Sequence, residues 1–174
     1  MTKKYIIDTN VFIQGKNFHY NFDFCKGFWD WVEHSHAQGV VFSIQKVKDE
    51  LMAGNKGDLA RIWAQNMSAS FFLEDVKDDK VMAAYREVMT WAAKDQHYQA
   101  AAIAKFSDSS KADAFLLAYA KAYGVVIVTQ EFSEPNKKKE IPIPDAAIKI
   151  GGIKTIPIYD LLRKHASSTF VFKP

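Results

Sequence analysis

Val125-Val126-Ile127-Val128 is an unbroken β-branched run, and no other feature limits the fold of this chain as much. A run without polar alternation has no face to offer to water. It therefore reads as a strand covered on both sides, the pattern of a parallel sheet under helices. Tyr5-Ile6-Ile7, cut off by Asp8-Thr9-Asn10, and Val40-Val41-Phe42 read as two more buried strands. Helical patterns separate them. Phe28 to Ala37 fits a helix stopped by Gly39, and Ser43 is placed to cap a helix that runs through Ala53 and ends at Gly54. Further helical patterns cover about 57–67, 79–94 and 97–106. Ser107-Asp108-Ser109-Ser110 is placed to cap a helix reaching Tyr123 and stopping at Gly124. A Lys/Glu/Pro-rich loop from Phe132 to Pro144 comes next. A short helix near Asp145–Ile150, a strand near Lys154–Ile158, a helix at Tyr159–His165 and a last strand at Thr169–Phe172 complete the chain. Alternating strands and helices predict a three-layer α/β/α domain around a central, mainly parallel sheet of about four to five strands.

A length of 174 residues suits a single domain over 1–174, and 48% apolar with 25% charged residues excludes wholesale disorder. The longest apolar run, Ala114 to Ala120, is far short of the roughly 18 residues a membrane-spanning helix needs. The apolar stretch before Asp8 is too short for an export signal, and the single cysteine, Cys25, forms no internal disulfide and no metal or redox pair. The expectation is a soluble, cytoplasmic domain with no membrane partner. Its net charge of +3 is unevenly spread: residues 121–174 hold 9 Lys+Arg against 5 Asp+Glu. A basic C-terminal third suits a phosphate-rich partner without requiring one. Lys137-Lys138-Lys139, taken alone, reads as a solvated loop.

Open parallel sheets gather ligands beyond the carboxyl ends of their strands. Two strands end in acids at that edge, Asp8 after Ile6-Ile7 and Glu131 after Val128-Thr129-Gln130. Two further acids sit where water is scarce. Asp113 interrupts the first turn of Lys111–Ala120, a helix apolar around nearly its whole circumference. Glu50 lies one turn from Val47 and beside Leu51, on the inward shoulder of its helix. Each acid alone has an ordinary reading as a turn former, a helix-dipole partner or a solvent-skirting side chain. Together in one cleft they would repel, so their pKa values would rise or divalent cations would hold them. Oxygen-only ligands select Mg²⁺ or Mn²⁺, and paired ions of this kind suit in-line attack at phosphorus. With four negative charges confined to one pit, the rest of the chain carries +7, which suits a polyanionic substrate.

The segments Ile7–Asn10, Asp49–Leu51, Ala112–Ala120, Val128–Glu131 and Ile143–Asp145 carry, in order, the patterns DTN, DEL, ADAFLLAYA, VTQE and IPD. This ordered set, which spans nearly the whole chain, resembles the PIN-domain ribonucleases, the fold of many prokaryotic toxin nucleases. The resemblance implies a PIN-like fold with Asp8, Glu50, Asp113 and Glu131 as catalytic metal ligands. Most relatives have Asp where Glu131 stands, so its carboxylate reaches one methylene further. Asn10 and Thr129 match positions that orient the acids or the attacking water, and Asp145 is an extra acid. The implied activity is Mg²⁺- or Mn²⁺-dependent hydrolysis of RNA, leaving a 3′-hydroxyl and a 5′-phosphate. The implied partners are an RNA substrate, an antitoxin protein and a second copy in a homodimer. Two other readings compete. One is a catalytically inactive scaffold that binds RNA or protein, suggested by the Glu131 departure. The other is a phosphatase with Asp8 as nucleophile, which the Asn at position 10 disfavours.

The remaining features read as structural. His34 and His36 lack the spacing of a helical metal site. The aromatic run Phe18–Trp31 suits a core or dimer interface better than a surface for stacking bases, and Trp63 and Trp91 fall in helical patterns.

Overall fold

The structure, a computed structural model, describes residues 4–174. The first three residues of the stretch weighed against export lie outside it. Among the described residues, five strands form one sheet: β1 (Tyr5–Ile7), β2 (Val41–Ile44), β3 (Phe72–Leu73), β4 (Val126–Val128) and β5 (Lys154–Ile156). Their order is β3-β2-β1-β4-β5 and every pairing is parallel. The uninterrupted apolar runs take the centre, where helices cover both faces: all three residues of β1 and of β4 are buried. The edge strand β5 carries the more polar sequence and is partly exposed.

The helices are α1 (Thr9–Gln14), α2 (Lys26–Ala37), α3 (Gln45–Met52), α4 (Leu59–Asn66), α5 (Asp79–Lys94), α6 (Ala100–Phe106), α7 (Asp113–Tyr123), α8 (Ile143–Ile150) and α9 (Ile158–His165). Right-handed crossovers, the rule between parallel strands, put the helices between β1 and β3 on one face and those between β3 and β5 on the other. Packing follows that division: α1 and α4 meet α3, while α5 and α8 meet α7. The final helix α9 returns to the first layer, where Trp31 Nε1 of α2 donates to the carbonyl of His165 at 2.9 Å. The result is the expected three-layer α/β/α architecture with all five strands parallel.

Local differences from the sequence reading have physical causes. Asp8-Thr9-Asn10 does not merely end β1; it opens α1 directly, and a π-helical turn over Gly15–His19 follows. Ser43 is not a helix cap. It stays in β2, where its hydroxyl donates to the carbonyl of Ile7 at 2.6 Å in the core. The free N–H of Lys46 at the start of α3 is met from a distance by Asp75, at 2.7 Å. The Ser107–Ser110 segment likewise forms a turn closed by Asp108 on Ser110 N, and α7 begins later, at Asp113. The short strand β3 escaped notice because two residues carry no alternation. The expected strand Thr169–Phe172 is absent: Phe170 adopts φ 57°, Ser167 closes a turn on Val171, and one antiparallel bridge joins Ala166 to Phe172. That tail folds onto the protein, with Phe172 stacked on His165 and Phe170 against Gly27.

Most of the aromatic run is core: Phe28, Trp29 and Trp31 are buried, with Tyr20 stacked on Phe28 at 4.1 Å. Phe18 and Phe24 are the exceptions, both exposed. His36 is structural, with its ring nitrogens on Val41 O and Ser70 Oγ. No described helix is long and apolar enough to cross a membrane. Gly124 ends α7 in the left-handed region at φ 66°, with nothing within 4 Å of an added Cβ, so only backbone strain opposes a side chain there. Gly124→Ala is expected to cost about 1 kcal/mol in urea denaturation, whereas Gly57→Ala, equally open but without a positive φ, should leave the midpoint unchanged or slightly raised.

Candidate active site

The chain leaves β1 toward β2 on one side and leaves β4 toward β5 on the other, so the sheet changes direction between β1 and β4. A crevice opens beyond the carboxyl ends of such a pair. Ile7 pairs with Val128, so Asp8 and Thr129 emerge side by side. Asp8 N donates to Val128 O at 2.9 Å, which ties the two exits together. The neighbourhood the sequence suggested for Asp8 and Glu131 is thus created by parallel pairing.

Hydrogen-bonded side chains define the crevice. The Thr129 hydroxyl donates to Asp8 Oδ2 at 2.8 Å and accepts from Asn10 Nδ2 and the Glu131 amide, both at 3.1 Å. Asn10 Oδ1 in turn accepts from Gln130 N at 3.0 Å. Thr129 and Asn10 therefore orient Asp8 and the chain that carries Glu131. Glu50 reaches in from α3. Its Oε2 accepts from the Thr9 hydroxyl and its Oε1 from Ala112 N at 3.0 Å, beside the start of α7 that bears Asp113. Glu131 is fixed by Ile143 N, which donates to its Oε2 at 2.6 Å.

Thr9 has a role that its place in the DTN pattern alone does not disclose, since its hydroxyl holds Glu50. A hydroxyl next to a strand-end acid was the available signal. Asp145 is buried but does not join the group. Its two oxygens accept from Ser133 Oγ and Glu134 N and pin the loop after Glu131 onto α8.

The acids feel one another. Burial, then the charges of Asp113 and Glu131, hold the Asp8 carboxyl well above its ordinary value, with the Thr129 hydroxyl pulling the other way. Burial followed by Glu50 pushes Asp113 from 3.8 to about 6. Burial also pushes Glu131 from 4.5 to about 7; Asp113 adds to this and the Ile143 amide opposes it. Among the described residues none of the four forms an ion pair with Lys or Arg.

Nor do any three His, Cys, Asp or Glu side chains among those residues stand tightly enough to hold an ion as placed. The donor set nevertheless fits a hard divalent cation: the ligating atoms are carboxylate oxygens, and a positive charge would relieve repulsion that Lys105, Lys111 and Lys137 offset only in part, from beyond ion-pair distance.

The comparisons with known proteins bear on the family alone. A family model described as a domain of unknown function, DUF4411, matches residues 5–169. The chain belongs to that family. No curated protein and no solved structure matches it. The match spans β1 to the C-terminal tail, so all four acids and their supports lie within the family's domain.

Raised carboxyl pKa values make a sign-definite prediction. An acid that binds its proton more tightly when folded favours the folded state at low pH, and that advantage disappears as pH climbs through the folded value. With EDTA present, the protein should lose stability as pH rises from about 4 through about 7, the window set by Asp113 and Glu131. Asp113→Asn should flatten that fall and raise the melting temperature at pH 8. A wild-type melting temperature that climbs over this window would contradict the crowding.

Proposed function

We propose that this chain is a divalent-metal-dependent endoribonuclease of the PIN type, with Mg²⁺ or Mn²⁺ held by Asp8, Glu50, Asp113 and Glu131. The observation that carries the reading is the crowding of four carboxylates from four separate segments at one sheet edge, without lysine or arginine partners. Hard cations are the usual answer to such crowding, and phosphate is the usual substrate of such cations. The all-parallel sheet supports the same family.

In this reading the protein's work is positioning. Thr129 donates to Asp8 Oδ2 and so fixes the orientation of that carboxylate. Thr9 and the Ala112 amide hold both oxygens of Glu50 as a negative wall. Asp113 enters from the first turn of α7, with burial keeping bulk water away from it. The Ile143 amide takes up the extra reach of Glu131 by anchoring one oxygen and leaving the other to the site. A bound cation would supply acidification of a water and neutralisation of charge developing on phosphate oxygens. A 3′-hydroxyl and a 5′-phosphate are the products this chemistry leaves. The exposed Phe18 and Phe24 give the expected homodimer or antitoxin contact apolar surface.

A second reading, a scaffold that binds RNA or protein without cutting, is favoured by one contact: the Ile143 amide already occupies Glu131 Oε2. The two readings separate experimentally. Asp8→Asn and Asp113→Asn are expected to lower Mn²⁺-dependent RNA cleavage at least ~100-fold while preserving the circular dichroism spectrum. EDTA should stop the wild type, and added Mn²⁺ should restore it. Intact RNA after prolonged incubation with Mn²⁺, together with measurable RNA affinity, would replace the nuclease with the binding scaffold.

A further inference from the structure

Beside the acids, a cavity of about 280 Å³ opens between α6 and the loop that follows β4. Asp113 and Glu131 line it, together with Gln130, Phe132, Lys105 and Lys137 among others. Three observations describe what it would accept. Phe132 stands at this cavity with 69% of its surface exposed, an apolar ring that the fold leaves uncovered. Gln130 is only 7% exposed, and its Nε2 is buried without a hydrogen-bond partner. An unpaired buried donor is costly, and a ligand that accepts from it recovers part of that cost.

The third observation is the charge. Both lysines are already neutralised: Lys105 by Glu140 at 3.0 Å, and Lys137 by Glu134 and Glu140, each at 2.9 Å. With Asp113 and Glu131 added, the walls carry no spare positive charge to attract a phosphate.

We propose that this cavity seats one unpaired nucleobase of a single-stranded RNA, with Phe132 stacked on its face and the Gln130 carboxamide bonded to its edge. A base is flat, uncharged and rich in both donors and acceptors, which matches each wall in turn. Every base has a π-face, so stacking selects for strandedness more than for sequence. The amide of Gln130 donates at one atom and accepts at the other, and a half-turn exchanges them. The adjoining phosphate then lies over the acids rather than among the paired lysines. A base within a duplex keeps its faces stacked and its edge paired, so duplex RNA is excluded. The loop is firm enough to present the ring: Asp145 grips Ser133 and Glu134, and Gln99 N bonds Lys138 O at 2.9 Å.

This inference deepens the nuclease reading and rests on it for the scissile phosphate, but its test is a binding measurement. Fluorescence anisotropy with a labelled single-stranded 12-mer RNA and with a duplex of the same sequence would be run on Asp113→Asn in Mn²⁺. The single strand should bind more tightly than the duplex. Adding Phe132→Ala should weaken single-strand binding about tenfold, with Phe132→Trp restoring it. Gln130→Ala should also weaken it.

Phe132→Ala in the otherwise wild-type protein should leave the Mn²⁺-induced melting shift unchanged, which separates a lost seat from a damaged metal site or fold. Tight single-strand binding indifferent to Phe132, or equal binding of the duplex, would overturn the seat even if cleavage is observed. Absent cleavage with Phe132-dependent single-strand binding would overturn the nuclease reading and leave the seat standing.

Discussion

Parallel pairing of β1 with β4 is the constraint from which the rest of the molecule follows. Because Ile7 and Val128 are in register, two chain exits 121 residues apart in sequence reach solvent at the same point. The exits are joined by one hydroxyl, since Thr129 serves Asp8, Asn10 and the Glu131 amide at once. A strand slip of one residue would turn this edge inside out, because side chains alternate between faces. The all-buried sequences of β1 and β4 tolerate no such slip, so core packing and site geometry share one origin.

Around that edge the protein uses negative charge against itself. Buried carboxylates are ordinarily paired with cations. Here Asp8, Asp113 and Glu131 instead face one another, with their pKa values displaced upward by burial and by their neighbours. Their partners are hydroxyls and backbone amides: Thr129 for Asp8, Thr9 and Ala112 for Glu50, and Ile143 for Glu131. Such partners fix direction without cancelling charge. Charge concentrated this way, in a chain of net charge +3, is the feature on which the proposed nuclease reading rests. Buried acids outside the group use the same kind of partner: Asp145 accepts from the Ser133 hydroxyl and Glu134 N, and Asp75 from Lys46 N and Val76 N.

Several local predictions failed for a common reason. Ser43 and Ser107–Ser110 have the composition of helix caps, but the N–H groups at the starts of α3 and α7 are met by acids from elsewhere, Asp75 and Glu50. Capping by a residue 29 or 62 positions away leaves no local trace. The tail Thr169–Phe172 has the β propensity of a strand, yet β5 has no pairing with it, and the aromatic side chains gain more by packing on His165 and Gly27. Propensity describes what a segment accepts, and tertiary contact chooses among the options.

By itself the sequence determined the layered architecture, because runs such as Val125–Val128 and the apolar circumference of α7 have no arrangement that keeps them dry except a sheet between helices. It also marked Asp8, Glu50, Asp113 and Glu131, because charge in such surroundings is conspicuous. Only the tertiary structure decided that β1 lies between β2 and β4, that Glu50 reaches Ala112, that Asp145 serves the loop instead of the acids, and that Gln130 and Phe132 border a cavity. Those are relations between segments far apart along the chain. Local periodicity records which face of a segment is buried and holds no information about which distant side chain it meets.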